Sequence, residues 1–218
     1  MTSTKQKTHE DLKYRIITQQ LAPGELLKDK DIMEQYGIGR TPLREVFLEL
    51  QNEGLINRIP RSGTWVAPMD FKFLKQITEI RIGIEGVAAE LAAQRITNQQ
   101  LQNLAQILDQ VEKIKNEEHI DGVKLIKSES EFHNIIYSSI DNPQLEKLLC
   151  NYQSLGARFW HYLVFSPKQM LDQFKSHALL LDALQKQDSQ LCKSIAENHI
   201  RVYMEIIEQQ TDLHSATR

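Results

Sequence analysis

The chain has 218 residues, enough for two domains of ordinary size. It holds no apolar run of about 18 residues and no leader with a hydrophobic core, which excludes a spanning or secreted protein and leaves the cytoplasm as the expected compartment. A net charge of −3 excludes a polybasic chain, and Cys150 and Cys192 stand alone without CxxC spacing, as reduced residues of helix packing do.

Residues 1–8 are polar and read as a disordered N-terminus, with a first domain over 9–69. Leu12, Ile16, Ile17 and Leu21 give a first helix, stopped by Ala22-Pro23-Gly24. Asp29 to Tyr36 give a second, with Ile32, Met33 and Tyr36 on one face. Gly37 suits the left-handed turn that ends it and lets a third helix leave at a steep angle. Arg40-Thr41-Pro42-Leu43-Arg44-Glu45 opens that third helix, and Pro42 is tolerated there because its missing N–H falls in the first turn. Leu43, Val46, Phe47 and Leu50 share a core face. Arg40, Thr41 and Arg44 then project from the other side, as a helix does when it enters a DNA major groove. Glu53-Gly54 breaks the pattern. Leu55–Ile59 and Thr64–Ala67 read as two strands around Pro60-Arg61-Ser62-Gly63, which completes a winged helix-turn-helix.

Residues 1–70 carry ten Lys/Arg and ten Asp/Glu, so the positive charge has to be local. It gathers at Lys28, Lys30, Arg40, Arg44, Arg58 and Arg61, and phosphate neutralisation needs charge at the contact surface rather than a high pI. Neutrality of the whole favours a dimer that doubles the contacts.

Pro68-Met69-Asp70 marks a boundary, with Asp70 suited to cap the next helix. From there to residue 218 the apolar period is helical, in six segments: 71–95, 98–117, 120–140, 143–165, 168–187 and 188–212. The fold class is therefore mainly α, a winged helix-turn-helix followed by an all-helical domain. Glu129 and His133, four apart, meet on one face in the stripe Ile126, Glu129, His133, Ile136, Ile140. His177 falls in line with Phe174, Leu180, Leu181 and Leu184, and His199 with Leu191, Ile195, Val202 and Ile206. Three imidazoles and a carboxylate thus point from three helices into one interior. Buried polar groups need partners: a divalent metal would satisfy all four at once, and hydrogen-bonded core histidines would give the same spacing. Three ligands with an open position would also suit a hydrolytic centre, although Glu131 is the one nearby acid and lies on another face.

Residues 14–66 resemble the GntR family of bacterial transcription regulators. The resemblance rests on Ala22-Pro23-Gly24-Glu25, the Arg40 to Glu45 block, Glu53-Gly54-Leu55-Ile56 and Gly63. Gly39 departs from it, standing where relatives carry a Ser or Thr that caps the helix; a Gly cap costs a few tenths of a kcal/mol. Residues 71–212 are similar to the six-helix ligand-binding domain of the FadR branch. Glu79-Ile80-Arg81 through Glu85, Ala92-Ala93, Phe132-His133, Asp141-Asn142-Pro143, His177 through Ala183 and Asn198-His199-Ile200 carry this match.

That resemblance implies a homodimer on a roughly palindromic double-stranded operator, with no membrane partner. Arg40 and Arg44 would contact bases and phosphate, Thr41 and Lys30 the backbone, and Arg61 and Gly63 the minor groove at the wing tip. A solvated turn is the plainer role for Arg61. The metal would be held by Glu129, His133, His177 and His199, with Glu129 where metal-binding relatives use Asp. Zinc is the first choice, nickel or manganese the next. A small organic acid would bind beside it, met by Arg81, which lies in line with Ile77, Ile84 and Ala88, or by Arg158; pairing with a core carboxylate such as Glu85 is the alternative for Arg81. The histidine set speaks against a long-chain acyl effector. Two other classes stay open: a metal-dependent hydrolase joined to a DNA-binding domain, and a DNA-binding dimer whose metal is structural.

Overall fold

A computed structural model describes residues 3–163 and 166–216, with side chains to residue 209. It divides into two units, Met1–Asp70 and Phe71–Arg218. In the first, the Ser3 side chain accepts from the Gln6 N–H and caps α1 (Thr4–Ile17), so residues 4–8 are helical rather than disordered; residues 1 and 2 lie outside the described chain. Thr8, Leu12 and Ile16 are buried. α1 also ends four residues earlier than expected. Gln19 adopts a left-handed φ of 61°, the Leu21 N–H reaches the Arg15 carbonyl, and Leu21 joins the core from a loop.

α2 (Asp29–Tyr36) ends on Gly37 at φ 61°, whose N–H bonds the Met33 carbonyl, as a left-handed C-cap does. α3 (Arg40–Asn52) follows with Gly39 as its N-cap and no capping side chain. Its face of Leu43, Val46, Phe47 and Leu50 is fully buried. The wing holds one strand more than expected. β1 (Leu26–Leu27) pairs with β3 (Gly63–Val66), which pairs in turn with β2 (Ile56–Ile59), all antiparallel in the order β1-β3-β2. Arg61 sits at the wing turn in the left-handed region, φ 64°, where the Ser62 N–H closes onto the Ile59 carbonyl.

The second unit comprises α4 (Phe71–Arg95), α5 (Asn98–Lys115), α6 (Gly122–Ser139), α7 (Pro143–Leu163), α8 (Pro167–Gln185) and α9 (Ser189–Ala216). Residues 164 and 165, expected to extend α7, lie outside the described residues. The helix starts have chemical causes: Thr97 with Gln100, and Ser166 with Gln169, form capping boxes, and the Asp121 carboxylate accepts from two N–H groups of α6. α4 packs most extensively along α9, and its Ala88, Ala89, Ala92 and Ala93 face a core that includes Phe132, Ile136, Tyr137, Leu180 and Leu184. Small residues on α4 let neighbouring helices approach, which brings α6, α8 and α9 close enough for their polar side chains to meet.

Candidate metal centre

Glu129 is the hub of the helical unit. Its Oε1 lies 3.1 Å from His133 Nε2 and 3.3 Å from His199 Nε2, and its Oε2 lies 3.3 Å from His177 Nε2. One ligand atom from each of the four residues falls within 4.8 Å of the others. Glu129 and His133 stand one turn apart on α6, His177 comes from α8 and His199 from α9. Phe132 and His177 pack edge to face at 4.3 Å between ring centroids, and Phe174 lies 5.2 Å from the same imidazole, so apolar walls fix the ring. The helix periodicity placed α6 and α8 correctly. On α9 the buried face is Cys192, Ala196, Ile200, Tyr203 and Ile207, one residue round from the expected stripe. Leu191 is 43 % exposed, Ile195, Val202 and Ile206 are half-buried, and His199 enters from the edge of the buried face.

The electrostatics suit a cation. Burial works to raise the Glu129 carboxyl, but His177, His133 and His199 around it outweigh burial and hold it well below the usual carboxylate range. Burial pushes the His177 imidazole down to about 3. His133 moves the other way: burial is outweighed by Glu129 and Glu85, which raise it. Glu129 Oε2 is buried and makes no hydrogen bond, a costly condition for an anion. Imidazole nitrogens with a carboxylate are a donor set that zinc, nickel and manganese accept, so the residues fit a divalent metal. Glu131, the nearby acid, pairs with Lys127 at 3.7 Å on the outside of α6.

Arg81 is 4 % exposed, and its Nε and Nη2 donate to Glu85 Oε1 at 3.2 and 2.7 Å. It therefore makes the core pairing, and it also lines a cavity beside the cluster. That cavity, about 20 Å³, is bounded by Arg81, Glu129, His133, Gln153, Gly156 and Tyr203. A second of about 20 Å³ lies on the apolar side, against Ala89, Ile136, Leu180 and Ile195. Each has room for about one water-sized group. Arg158 is buried in α7, outside the lining of either cavity, and burial pushes its guanidinium down to about 10. Sequence reasoning missed Tyr137, whose hydroxyl donates to Glu85 Oε1 at 2.6 Å. Its place one turn beyond His133 was the available signal.

In the first unit Arg40, Thr41 and Arg44 are exposed opposite the buried face of α3, and Arg61 and Gly63 are exposed on the wing. Lys30 is exposed on α2, 3.8 Å from Glu34. Gly63 has its own structural reason. At φ 125° a Cβ there would stand 3.0 Å from Leu26 Cδ1, so glycine lets β1 close onto β3.

Comparison with known proteins gives two matches in sequence order. Residues 4–66 match the bacterial regulatory proteins of the gntR family, and residues 76–202 match the FCD domain. The chain belongs to the gntR family of regulators, in its FCD-domain branch. It is 27 % identical over 205 residues to the HTH-type transcriptional regulator McbR of Escherichia coli K12, covering 92 % of this chain and 90 % of that protein. It is likewise 27 % identical to the transcriptional repressor RspR of the same strain, covering 94 % and 89 %. The solved E. coli McbR/YncC structure superposes with a TM-score of 0.83 at 25 % identity, covering 97 % of this chain and all of that one. A gntR structure from Rhodococcus sp. RHA1 shares the fold at 14 % identity, TM-score 0.77, over 94 % and 97 % of the two chains. This gntR-family protein is thus a helix-turn-helix regulator of transcription with an FCD effector-binding domain. Among the described residues no helix is long and apolar enough to cross a membrane.

Proposed function

We propose that this regulator is a cytoplasmic homodimer whose affinity for a palindromic operator is set by a small carboxylate bound at a divalent metal, zinc foremost. The observation that carries the reading is the convergence of Glu129, His133, His177 and His199 within 4.8 Å beside a cavity that Arg81 also lines. When bound, the metal supplies a Lewis-acidic point for an oxygen ligand. The chain supplies the rest: Arg81 turns a positive edge to the cavity, Gln153 and Tyr203 offer polar contacts, Trp160 closes it, and Arg158 adds charge from α7. Arg40 and Arg44 read base edges, Thr41 and Lys30 hold backbone phosphate, and Arg61 and Gly63 approach the minor groove. Phe73, Ile80 and Val87 are exposed on α4 at a seven-residue spacing, an apolar seam suited to a second copy.

A structural metal is the second reading, favoured by the cavity of about 20 Å³, which as it stands takes about one water-sized group. One experiment separates the two. An operator is selected from random DNA with zinc-loaded protein, and its affinity is titrated against a panel of small mono- and dicarboxylates. A change of at least fivefold with one class, absent in the His177→Ala protein, supports sensing. Unchanged affinity across the panel refutes sensing and leaves the structural role.

A further inference from the structure

The second nitrogen of each imidazole is also held, and the acceptors there decide where the protons sit. His177 Nδ1 lies 3.1 Å from the Gln173 carbonyl oxygen. A carbonyl can only accept, so Nδ1 carries a proton and Nε2 is the nitrogen left to face the centre. Ser176 Oγ donates to the same Gln173 carbonyl at 2.6 Å. Its one proton is spent there, so at 2.8 Å it must accept from His199 Nδ1. On α6, Arg81 grips Glu85 Oε1 with two N–H groups and keeps that carboxylate an acceptor. Tyr137 therefore donates to Glu85 at 2.6 Å, and its oxygen accepts from His133 Nδ1 at 3.1 Å. All three sets of hydrogen bonds give the same answer. Each ring carries a proton on Nδ1 and turns its Nε2, the nitrogen that a metal would take, toward Glu129.

We infer that Tyr137 and Ser176 are positioning residues of the centre: with the Gln173 carbonyl they hold all three imidazoles by Nδ1 and aim each Nε2 at the metal position. The assignment rests on the metal reading above and adds residues that ligate nothing. Two of the three locks end on one peptide carbonyl of α8, so α8 sets His177 and His199 together. Arg81 and Glu85 act at one remove, through Tyr137 on His133. Outer partners of this kind fix ring orientation and ligand basicity in metal sites generally, and their loss costs about 10–100-fold in affinity. The plainer role for Ser176 is a hydroxyl satisfied by the carbonyl one turn back, which would leave metal affinity alone.

The test uses the full-length protein and cobalt(II) as probe. Absorbance titration of the metal-stripped parent, Ser176→Ala, Ser176→Thr and Tyr137→Phe gives each dissociation constant. Circular dichroism of the metal-free proteins reports folding. A dissociation constant raised about 10–100-fold in Ser176→Ala and Tyr137→Phe, restored in Ser176→Thr, supports the inference. Parent-like affinity in both overturns it while the metal reading stands. A parent that takes up no cobalt overturns both. Nitrogen-15 spectra of the metal-free parent supply the measurement that survives a misfolded variant: Nδ1 of His177 and His199 should appear protonated, and an unprotonated Nδ1 at either would sink the assignment.

Discussion

Arg61 holds a backbone conformation that a non-glycine residue occupies at a cost of order 1–3 kcal/mol. With Pro60 before it, φ 64° is the third position of a tight turn that favours Gly or Asn. Strain of this kind persists where the side chain is needed, and at a wing tip the need proposed above is contact with DNA. Arg61→Gly should therefore raise the thermal midpoint of the first unit or leave it unchanged, while weakening operator binding. Arg44→Ala, on the exposed face of α3, should cost about 1–3 kcal/mol at the operator if it grips a base bidentately. Binding of both variants to operator and random DNA across a salt series checks this. An Arg61→Gly protein that melts earlier and binds as the parent does would falsify the strain argument. The residue scale was also where the sequence was most readable. Glu129 with His133, and Arg81 with Glu85, announce themselves by a separation of four on one helix. Tyr137 stands at the same separation beyond His133 but its value depends on which ring nitrogen it meets, and Ser176 meets His199 across helices, which no spacing shows.

At the scale of elements, α1 is held onto α3 by charge as well as by Leu12 and Ile16. Lys5 reaches Glu45 and Glu49 at 2.9 Å, and His9 and Lys13 both reach Glu53 at 2.9 Å. Burial works to raise the Glu53 carboxyl, but His9 and Lys13 outweigh it and lower it. A carboxyl depressed in the folded state stabilises that state at neutral pH. The contribution fades as pH falls through the ordinary Glu value of about 4.3 and is gone below the depressed folded value. Glu53→Gln should remove about 1 kcal/mol of part-screened pairing, lower the midpoint of the first unit by about 4–8 °C at pH 7, and flatten its loss of stability on acidification. Melting curves from pH 7 to pH 3 measure both; equal slopes for parent and variant would rule the pairing out as a source of stability. Elements with a long period were legible: α2, α4 and α6 to α8 lie within a few residues of the expected spans. β1 was not, since two residues carry no period and its pairing with β3 spans almost forty positions. The α9 face was read one residue off because Leu191 and Val202 keep helical spacing outside the core, while Cys192 and Ala196 are too small to advertise a buried face.

Across the whole molecule, the proposed metal would tie α6, α8 and α9 together. Stripping it leaves Glu129 and three imidazoles facing one another in an apolar interior, so the helical unit should lose stability first. Free metal at one hundred times its dissociation constant adds about 2.7 kcal/mol. Calorimetry with and without chelator should show the transition of residues 71–218 moving down while that of residues 1–70 stays in place. A thermogram indifferent to chelator would remove the metal from the stability account. Gly156 carries the same logic to regulation. A Cβ there would stand 2.9 Å from Arg81 Nη1 and 3.1 Å from the Tyr203 hydroxyl, and Arg81 is clamped by Glu85 and cannot step aside cheaply. One methyl group would therefore plug the chamber without touching a metal ligand or a DNA contact. Gly156→Ala should yield a regulator that grips its operator normally but is deaf to the carboxylate proposed above, fixing its genes in a single state of expression; operator affinity that still changes across the carboxylate panel would overturn this.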